Sequence, residues 1–350
     1  MPRGFAAPGG WFHTVEKRPI CFRIMIVSAS YRTDIPAFYA DWFLARLREG
    51  RCRVANPYGG RPSEVSLRRE DADGFVFWTR NARPFAAALR EVAEREFPFM
   101  VQFTLLGYPR TIDASVIDTG NAVAQIRELA RRYGPRAVVW RYDPVVVTSI
   151  TDVDWHRANF RTIADALAGA TDEAVVSFMA PYRKTRRNLD AAAARAGFDW
   201  SDPDVRTKRT LLMDLARIAS ERSMRLTLCS QPELLTQGIE GARCVDAERL
   251  SDLAGYRIVG RTKGNRAGCL CTESRDIGAY DTCPHGCAYC YAVRSPVTAK
   301  RLYRRHDKER DILQPADQTT GQAEVSTRCS AGSPLATPTM AARKRRPLMM

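Results

Sequence analysis

Nowhere in its 350 residues does this chain carry a run of about 18 apolar residues, the length a bilayer-spanning helix needs. Its N-terminus has no charged segment followed by a long apolar stretch, so neither a membrane span nor a secretory signal is expected. The reading is a cytoplasmic protein with no membrane partner. Three catalytic patterns are also missing from the sequence: the G-x-x-x-x-G-K-[ST] phosphate loop, the G-x-S-x-G elbow and the H-E-x-x-H zinc helix. No internal repeat is found. Acidic residues are in short supply, 39 Asp and Glu against 54 Lys and Arg, for a net charge of +15. The excess is uneven. Residues 291–350 hold a net +7 and residues 1–23 a net +3, which leaves +5 for the 267 residues between. Most of the basic excess thus belongs to the termini, and nucleic acid is a possible but not a favoured partner.

What the chain does have is cysteine. Ten thiols in an intracellular protein point to metal or redox chemistry more than to disulfides, because the cytosol keeps thiols reduced. Three of them, in Cys283-Pro284-His285-Gly286-Cys287-Ala288-Tyr289-Cys290, stand at C-x3-C-x2-C spacing with an aromatic directly before the last. Three thiolates on one tight loop can hold three corners of a [4Fe–4S] cluster and leave the fourth iron open to S-adenosylmethionine. The bland alternatives are a structural zinc knob or a cluster used only for electron transfer. Zinc sites usually pair thiols as C-x2-C and close with four ligands, so the three-residue gap counts against the knob. Gly286 is expected at a positive-φ position. His285 is either a donor to a cluster sulfur or an exposed loop residue, and Tyr289 is expected to pack over the cluster or near an adenine.

Four further thiols, Cys229, Cys244, Cys269 and Cys271, fall in the last third of the core. They make a complete ligand set for a second iron–sulfur cluster or for zinc. The alternative is that Cys229 and Cys244 are small buried hydrophobes. Cys21, Cys52 and Cys329 read as incidental.

The core alternates short apolar runs with helical periodicity. Runs at 24–28, 75–79, 99–105, 137–142, 174–178 and 226–229 are continuously apolar, as parallel strands buried on both faces must be. Between them, Val123, Ile126, Ala130 and Tyr133 share a helical face stopped by Gly134. Trp155, Phe160, Ile163 and Leu167 form another such face, and Leu211, Leu212, Leu215, Ile218 and Ala219 a third. Six β-then-α units predict an α/β fold, a parallel barrel or partial barrel in preference to an open doubly wound sheet. A seventh strand is expected at 277–280, leading directly into the cysteine loop.

In such folds ligands sit just beyond the C-terminal ends of strands, which selects Arg32, Thr33 and Asp34, then Thr79, Arg80 and Asn81, then Arg141, Tyr142 and Asp143. Arg141 and Asp143 are the strongest candidates, because charges flanked by Val138-Val139-Trp140 and Val145-Val146-Val147 are unlike surface residues. A structural Arg–Asp pair at the rim is the alternative. Tyr182-Arg183-Lys184-Thr185-Arg186-Arg187-Asn188 reads either as a phosphate or nucleic-acid patch or as the solvated start of a helix.

The cysteine loop is similar to the radical S-adenosylmethionine superfamily motif, C-x3-C-x-aromatic-C. With Ser28-Ala29-Ser30-Tyr31-Arg32-Thr33-Asp34-Ile35-Pro36, Trp140-Arg141-Tyr142-Asp143-Pro144 and Asp276-Ile277-Gly278-Ala279-Tyr280, the chain resembles, over about residues 24–313, an uncharacterised bacterial domain-of-unknown-function family. That family carries a radical-SAM-like cysteine cluster at its C-terminal end. The resemblance implies a radical-SAM-like barrel, circularly permuted so that the unit bearing the cluster loop comes last and its strand lies beside the first. It also implies a [4Fe–4S] cluster, S-adenosylmethionine, and an electron donor such as flavodoxin or ferredoxin. Arg32, Asp34, Arg141 and Asp143 are then the expected catalytic residues, and Cys283, Cys287, Cys290 and Tyr289 the cofactor-binding ones. The substrate is unknown. A second reading, from another class, is a metal-stabilised nucleic-acid-binding protein without radical chemistry. The expected organisation is an extension over 1–23, one domain over 24–313 with its cysteine-rich region at 229–291, and a disordered basic tail over 314–350.

Overall fold

The apolar runs become parallel strands. In the computed structural model, which describes residues 25–56 and 59–314, eight strands form one sheet whose ladders are all parallel. They are β1 (Ile26–Ala29), β4 (Gly74–Thr79), β5 (Phe99–Thr104), β6 (Val138–Val145), β8 (Glu173–Phe178), β10 (Arg225–Leu228), β11 (Glu240–Gly241) and β12 (Ser274–Asp276). Two antiparallel pairs stand apart, β2 (Arg51–Val54) with β3 (Ser63–Ser66), and β7 (Val147–Thr148) with β9 (Trp200–Ser201). Spatial order across the main sheet is β11-β10-β8-β6-β5-β4-β1-β12. From β1 to β11 it follows chain order, and β12 returns to pair with β1 through Ile26 and Ser274.

Among the described residues no ladder joins β11 to β12, so the sheet is parallel but its closure into a barrel is not shown. The expected strand at 277–280 lies three residues too late. The edge strand is Ser274–Asp276, which is held to β1 by backbone pairing and the polar Asp276 side chain and needs no apolar run, and Gly278 then turns the chain away. The extension read over 1–23, the tail read over 314–350 except Gln314, and Cys21 and Cys329 fall outside the described residues. No described helix is long and apolar enough to cross a membrane.

Because strand side chains alternate, each buried strand feeds two cores. Phe75, Phe77, Phe99, Val101, Phe103, Val138 and Trp140 face the helical side. There they meet α2 (Ala40–Glu49), α3 (Ala86–Glu94), α4 (Thr119–Tyr133), α5 (Val153–Leu167) and α7 (Val205–Ser220), the last three as the periodicity predicts. Phe43 meets Phe77 edge-on at 5.4 Å, and Phe160 stacks on Trp140 at 4.5 Å. Ile26, Val76, Met100, Val139 and Val175 face the opposite side, where they pack with Cys229, Cys244, Cys271 and α8 (Ala247–Ala254). The N-terminal end of that inner core is closed by Arg249, which is 1% exposed and donates to Asp172 at 2.8 Å, Glu173 at 2.6 Å and the Arg136 carbonyl at 2.8 Å.

His156 on α5 is buried where β6 ends. Its Nε2 faces the Val146 carbonyl at 3.0 Å, an acceptor only, so Nε2 carries the proton and Nδ1 accepts from the Tyr142 hydroxyl at 2.8 Å. Burial pushes its pKa from 6.5 down to about 4. A lowered folded pKa means the contribution is complete above the unfolded value and disappears as pH falls through the folded one. We therefore expect stability to drop by roughly 3 kcal/mol between about pH 7 and pH 4 from this group alone. Urea unfolding of His156→Gln across that range should show a flatter profile, and equal pH slopes for the two proteins would contradict the assignment.

Candidate functional site

The C-terminal ends of β1, β4 and β12 converge on the cysteine loop. Asp276, the last residue of β12, is buried and accepts from Ser28 Oγ at 2.9 Å, Ser30 Oγ at 2.7 Å, and the backbone N–H groups of Tyr31 at 3.0 Å and Gly278 at 3.0 Å. Arg32 Nε lies 3.7 Å away, and its guanidinium stacks over the Tyr31 and Tyr280 rings. This cluster binds the strand that launches the loop to the strand beside it. A Cβ on Gly278 would fall 2.0 Å from Ser30 Oγ, so only glycine fits there.

Asp34 ties the loop to the end of β1. It caps α1 (Ile35–Phe38) by accepting from the Ala37 N–H at 2.9 Å, and it also accepts from the Arg80 N–H at 2.8 Å. Its Oδ2 faces His285 Nε2 at 2.8 Å. His285 is accordingly 3% exposed, packed edge-on against Phe38, so the exposed alternative does not hold. Gly286 takes φ +74° as expected.

Arg80, just past β4, holds the other flank. It makes a two-pronged pair with Asp113, at 2.9 and 2.6 Å, and donates to Cys287 Sγ at 3.1 Å and to the Tyr289 hydroxyl at 2.6 Å. The Tyr289 hydroxyl donates in turn to Asp113 at 2.8 Å, and its ring meets Tyr108 edge-on at 5.7 Å. Tyr289 is thus a brace between loop and sheet. A short antiparallel bridge between Asp113 and Cys287, with Ser115 N–H on the His285 carbonyl at 2.9 Å, completes the clamp.

Burial is the largest influence on Cys283, Cys287 and Cys290, and it pushes all three thiols above their ordinary range. The Asp34 carboxylate pushes Cys283, and that of Asp113 pushes Cys287, further the same way; opposing them, the backbone N–H groups of His285 and Asp34 point at Cys283, those of Ala292 and Val293 at Cys290, and Arg80 at Cys287. Arg80 Nε is buried and has no hydrogen-bond partner among the described residues. The loop is therefore lined with donors that favour anionic sulfur, the donor set a thiolate-held cluster uses. A cleft lined by Arg80, Tyr108, Arg110, Asp113 and Thr119 adjoins it.

Arg141 and Asp143, which with Cys290 and Asp276 surround Tyr291, face the second thiol group. Arg141 is 5% exposed on the inner face of β6, over the Trp78 ring at 4.9 Å, and donates to Cys244 Sγ at 2.9 Å and Gln102 Oε1 at 3.2 Å. It also pairs with Asp143, which accepts from Ser177 as well. Their nearest sulfur neighbours belong to the second thiol group. The cations of 182–188 are largely spoken for: Arg187 and Asn188 donate to the Arg294 and Val293 carbonyls, Arg186 packs over Trp200, and Lys184 over Tyr280. That patch, on α6 (Arg183–Ala196), buttresses the segment just after the cysteine loop.

Sequence reasoning missed Asp113, Asp276 and Arg266. Each is a charged residue whose partner lies far along the chain. Asp276, the last residue of a short polar edge strand, left only a faint signal. No curated protein and no solved structure matches this chain. A family model does match it, across the whole of the sheet and the cysteine loop, residues 26–292, and on that extent the chain belongs to the family described as Domain of unknown function (DUF1848).

Proposed function

We propose that this protein is an iron–sulfur radical enzyme of the S-adenosylmethionine type, with Cys283, Cys287 and Cys290 as the ligands of a [4Fe–4S] cluster and a circularly permuted, radical-SAM-like barrel as its scaffold. The observation that carries the proposal is the loop itself. Three half-buried thiols at C-x3-C-x2-C spacing sit at the C-terminal end of a parallel sheet, each facing N–H donors that stabilise negative sulfur. The pairing of β12 with β1 supports the permutation. A cluster held by Cys283, Cys287 and Cys290 would supply the electron for reductive cleavage of S-adenosylmethionine, the chemistry that starts hydrogen abstraction from a substrate.

The chain's own residues orient and exclude. Arg80 aligns Cys287 while anchored on Asp113, and Asp34 fixes the loop through His285 and the Arg80 backbone. Phe38 packs on His285 and Tyr108 on Tyr289, which holds the loop rigid, and the adjoining cleft offers a route for a small polar substrate. The test is direct. Protein purified and reconstituted without oxygen should be brown, and with a flavodoxin or dithionite donor it should convert S-adenosylmethionine to 5′-deoxyadenosine and methionine. Colourless protein after reconstitution, or salt-dependent nucleic-acid binding with no cofactor turnover, would end this reading.

A further inference from the structure

We propose that Cys229, Cys244, Cys269 and Cys271 form a second, mononuclear site that takes one zinc-class divalent cation in tetrahedral thiolate coordination. It lies in the inner core.

The four thiols come from three separated segments: Cys229 directly after β10, Cys244 after β11, and Cys269 and Cys271 on the stretch before β12. The fold nevertheless makes them neighbours. Cys229 Sγ and Cys244 Sγ are 3.7 Å apart. Cys271 belongs to the same buried cluster as Cys229 and Cys244, and Cys269 packs against it. The two ends meet at Ser230, whose hydroxyl lies 3.6 Å from Cys229 Sγ and is in contact with Cys269. The thiols therefore make a ring. Two thiolates on one tetrahedral zinc, at about 2.3 Å each, stand about 3.8 Å apart. Thiolates on different irons of a cubane cluster each extend outward from their own corner and stand well beyond that distance. The Cys229–Cys244 spacing thus matches two ligands sharing one metal atom.

A second set of contacts points the same way. Arg141 donates to Cys244 Sγ at 2.9 Å, Arg266 to Cys229 Sγ at 3.4 Å, and the Val245 N–H to Cys271 Sγ at 3.4 Å. Neutral thiols are weak acceptors and would draw little from two guanidinium groups in a core that also contains Asp143. Four thiolates on a dication carry a net negative charge, and cationic and backbone donors to sulfur are the partners such a centre uses. The segment bearing Cys269 is close-packed: a Cβ on Gly264 would lie 2.5 Å from both the Cβ and the carbonyl oxygen of Cys269. The ring is wider than a coordination sphere, since among the described residues no three Cys, His, Asp or Glu side chains converge on a single point. Binding draws Cys269 and Cys271 inward onto the Cys229–Cys244 edge and takes the place of the Ser230 contacts.

The experiment uses the full chain with Cys283, Cys287 and Cys290 all changed to alanine, so that any metal found belongs to the second site. Purified from medium supplied with zinc and iron, this protein should hold about one zinc per chain and no acid-labile sulfide. Exchanged with cobalt(II), it should show the sulfur-to-metal charge-transfer and intense visible bands of a tetrahedral thiolate site. Adding Cys244→Ser should lower zinc to less than about a tenth of an equivalent. The cobalt spectrum needs only the parent protein, so it decides the matter even where the serine variant misfolds. Iron with sulfide in place of zinc would overturn the proposal. So would four thiols that react freely in the native metal-free protein, or a Cys229–Cys244 disulfide.

Discussion

Cys287→Ala is expected to abolish S-adenosylmethionine cleavage while leaving the fold in place. The variant loses one of three ligands on one loop, and a cubane held by two thiolates is not retained, so iron in the loop should fall from about four per chain to below about one. The structural cost is modest. Arg80 loses its sulfur contact but keeps Asp113 at 2.6 and 2.9 Å and the Tyr289 hydroxyl at 2.6 Å, so the buried guanidinium stays paired. Circular dichroism should be unchanged, and urea unfolding should shift by no more than roughly 1–2 kcal/mol, the scale for a small buried side-chain truncation. Iron content, 5′-deoxyadenosine formation and unfolding are measured on the same preparation. Continued cleavage by the variant would sever the loop from the chemistry.

Gly278→Ala should produce the largest loss of stability from a single methyl group. The new Cβ would stand 2.0 Å from Ser30 Oγ and 2.5 Å from Ser30 Cβ. Ser30 cannot retreat freely, because its hydroxyl donates to Asp276 at 2.7 Å and accepts from the Arg32 N–H at 2.9 Å. Either β12 parts from β1 or the Asp276 network breaks, and both displace the start of the cysteine loop. We expect a cost of about 3 kcal/mol or more, at the upper end of overpacking effects, together with poor iron loading. Gly120→Ala is the control. Gly120 lies in the first turn of α4, where the nearest contact of a new Cβ is Asp118 Oδ1 at 3.4 Å, and alanine there should be neutral or slightly stabilising. Equal unfolding midpoints for the two variants would show that the β1–β12 seam is looser than these distances imply.

The sequence by itself determined most strands of the main sheet, three of its helices and the grouping of the three loop cysteines. Continuous apolar runs located β4, β5, β6, β8 and β10 to within a residue or a few, because a strand buried on both faces has no choice but to be apolar throughout. Gly134 and the 3.6-residue period located α4 in the same way. The C-x3-C-x2-C loop was legible because its three thiols are tied by eight consecutive residues, so their proximity is set by covalent geometry and needs no fold. Everything that depended on distant segments meeting had to wait for the tertiary structure. β12 is polar and only three residues long, and backbone pairing to β1 is what makes it a strand. Burial of His285 follows from Asp34, 251 residues earlier, and the clamp on Cys287 from Arg80 and Asp113. Arg141 and Asp143 were recognisable as unusual charges, yet only packing showed which sulfurs they face. The gathering of Cys229, Cys244, Cys269 and Cys271 likewise came from the parallel sheet, whose crossovers return each strand end to the same side and so bring together side chains that the sequence leaves dozens of residues apart.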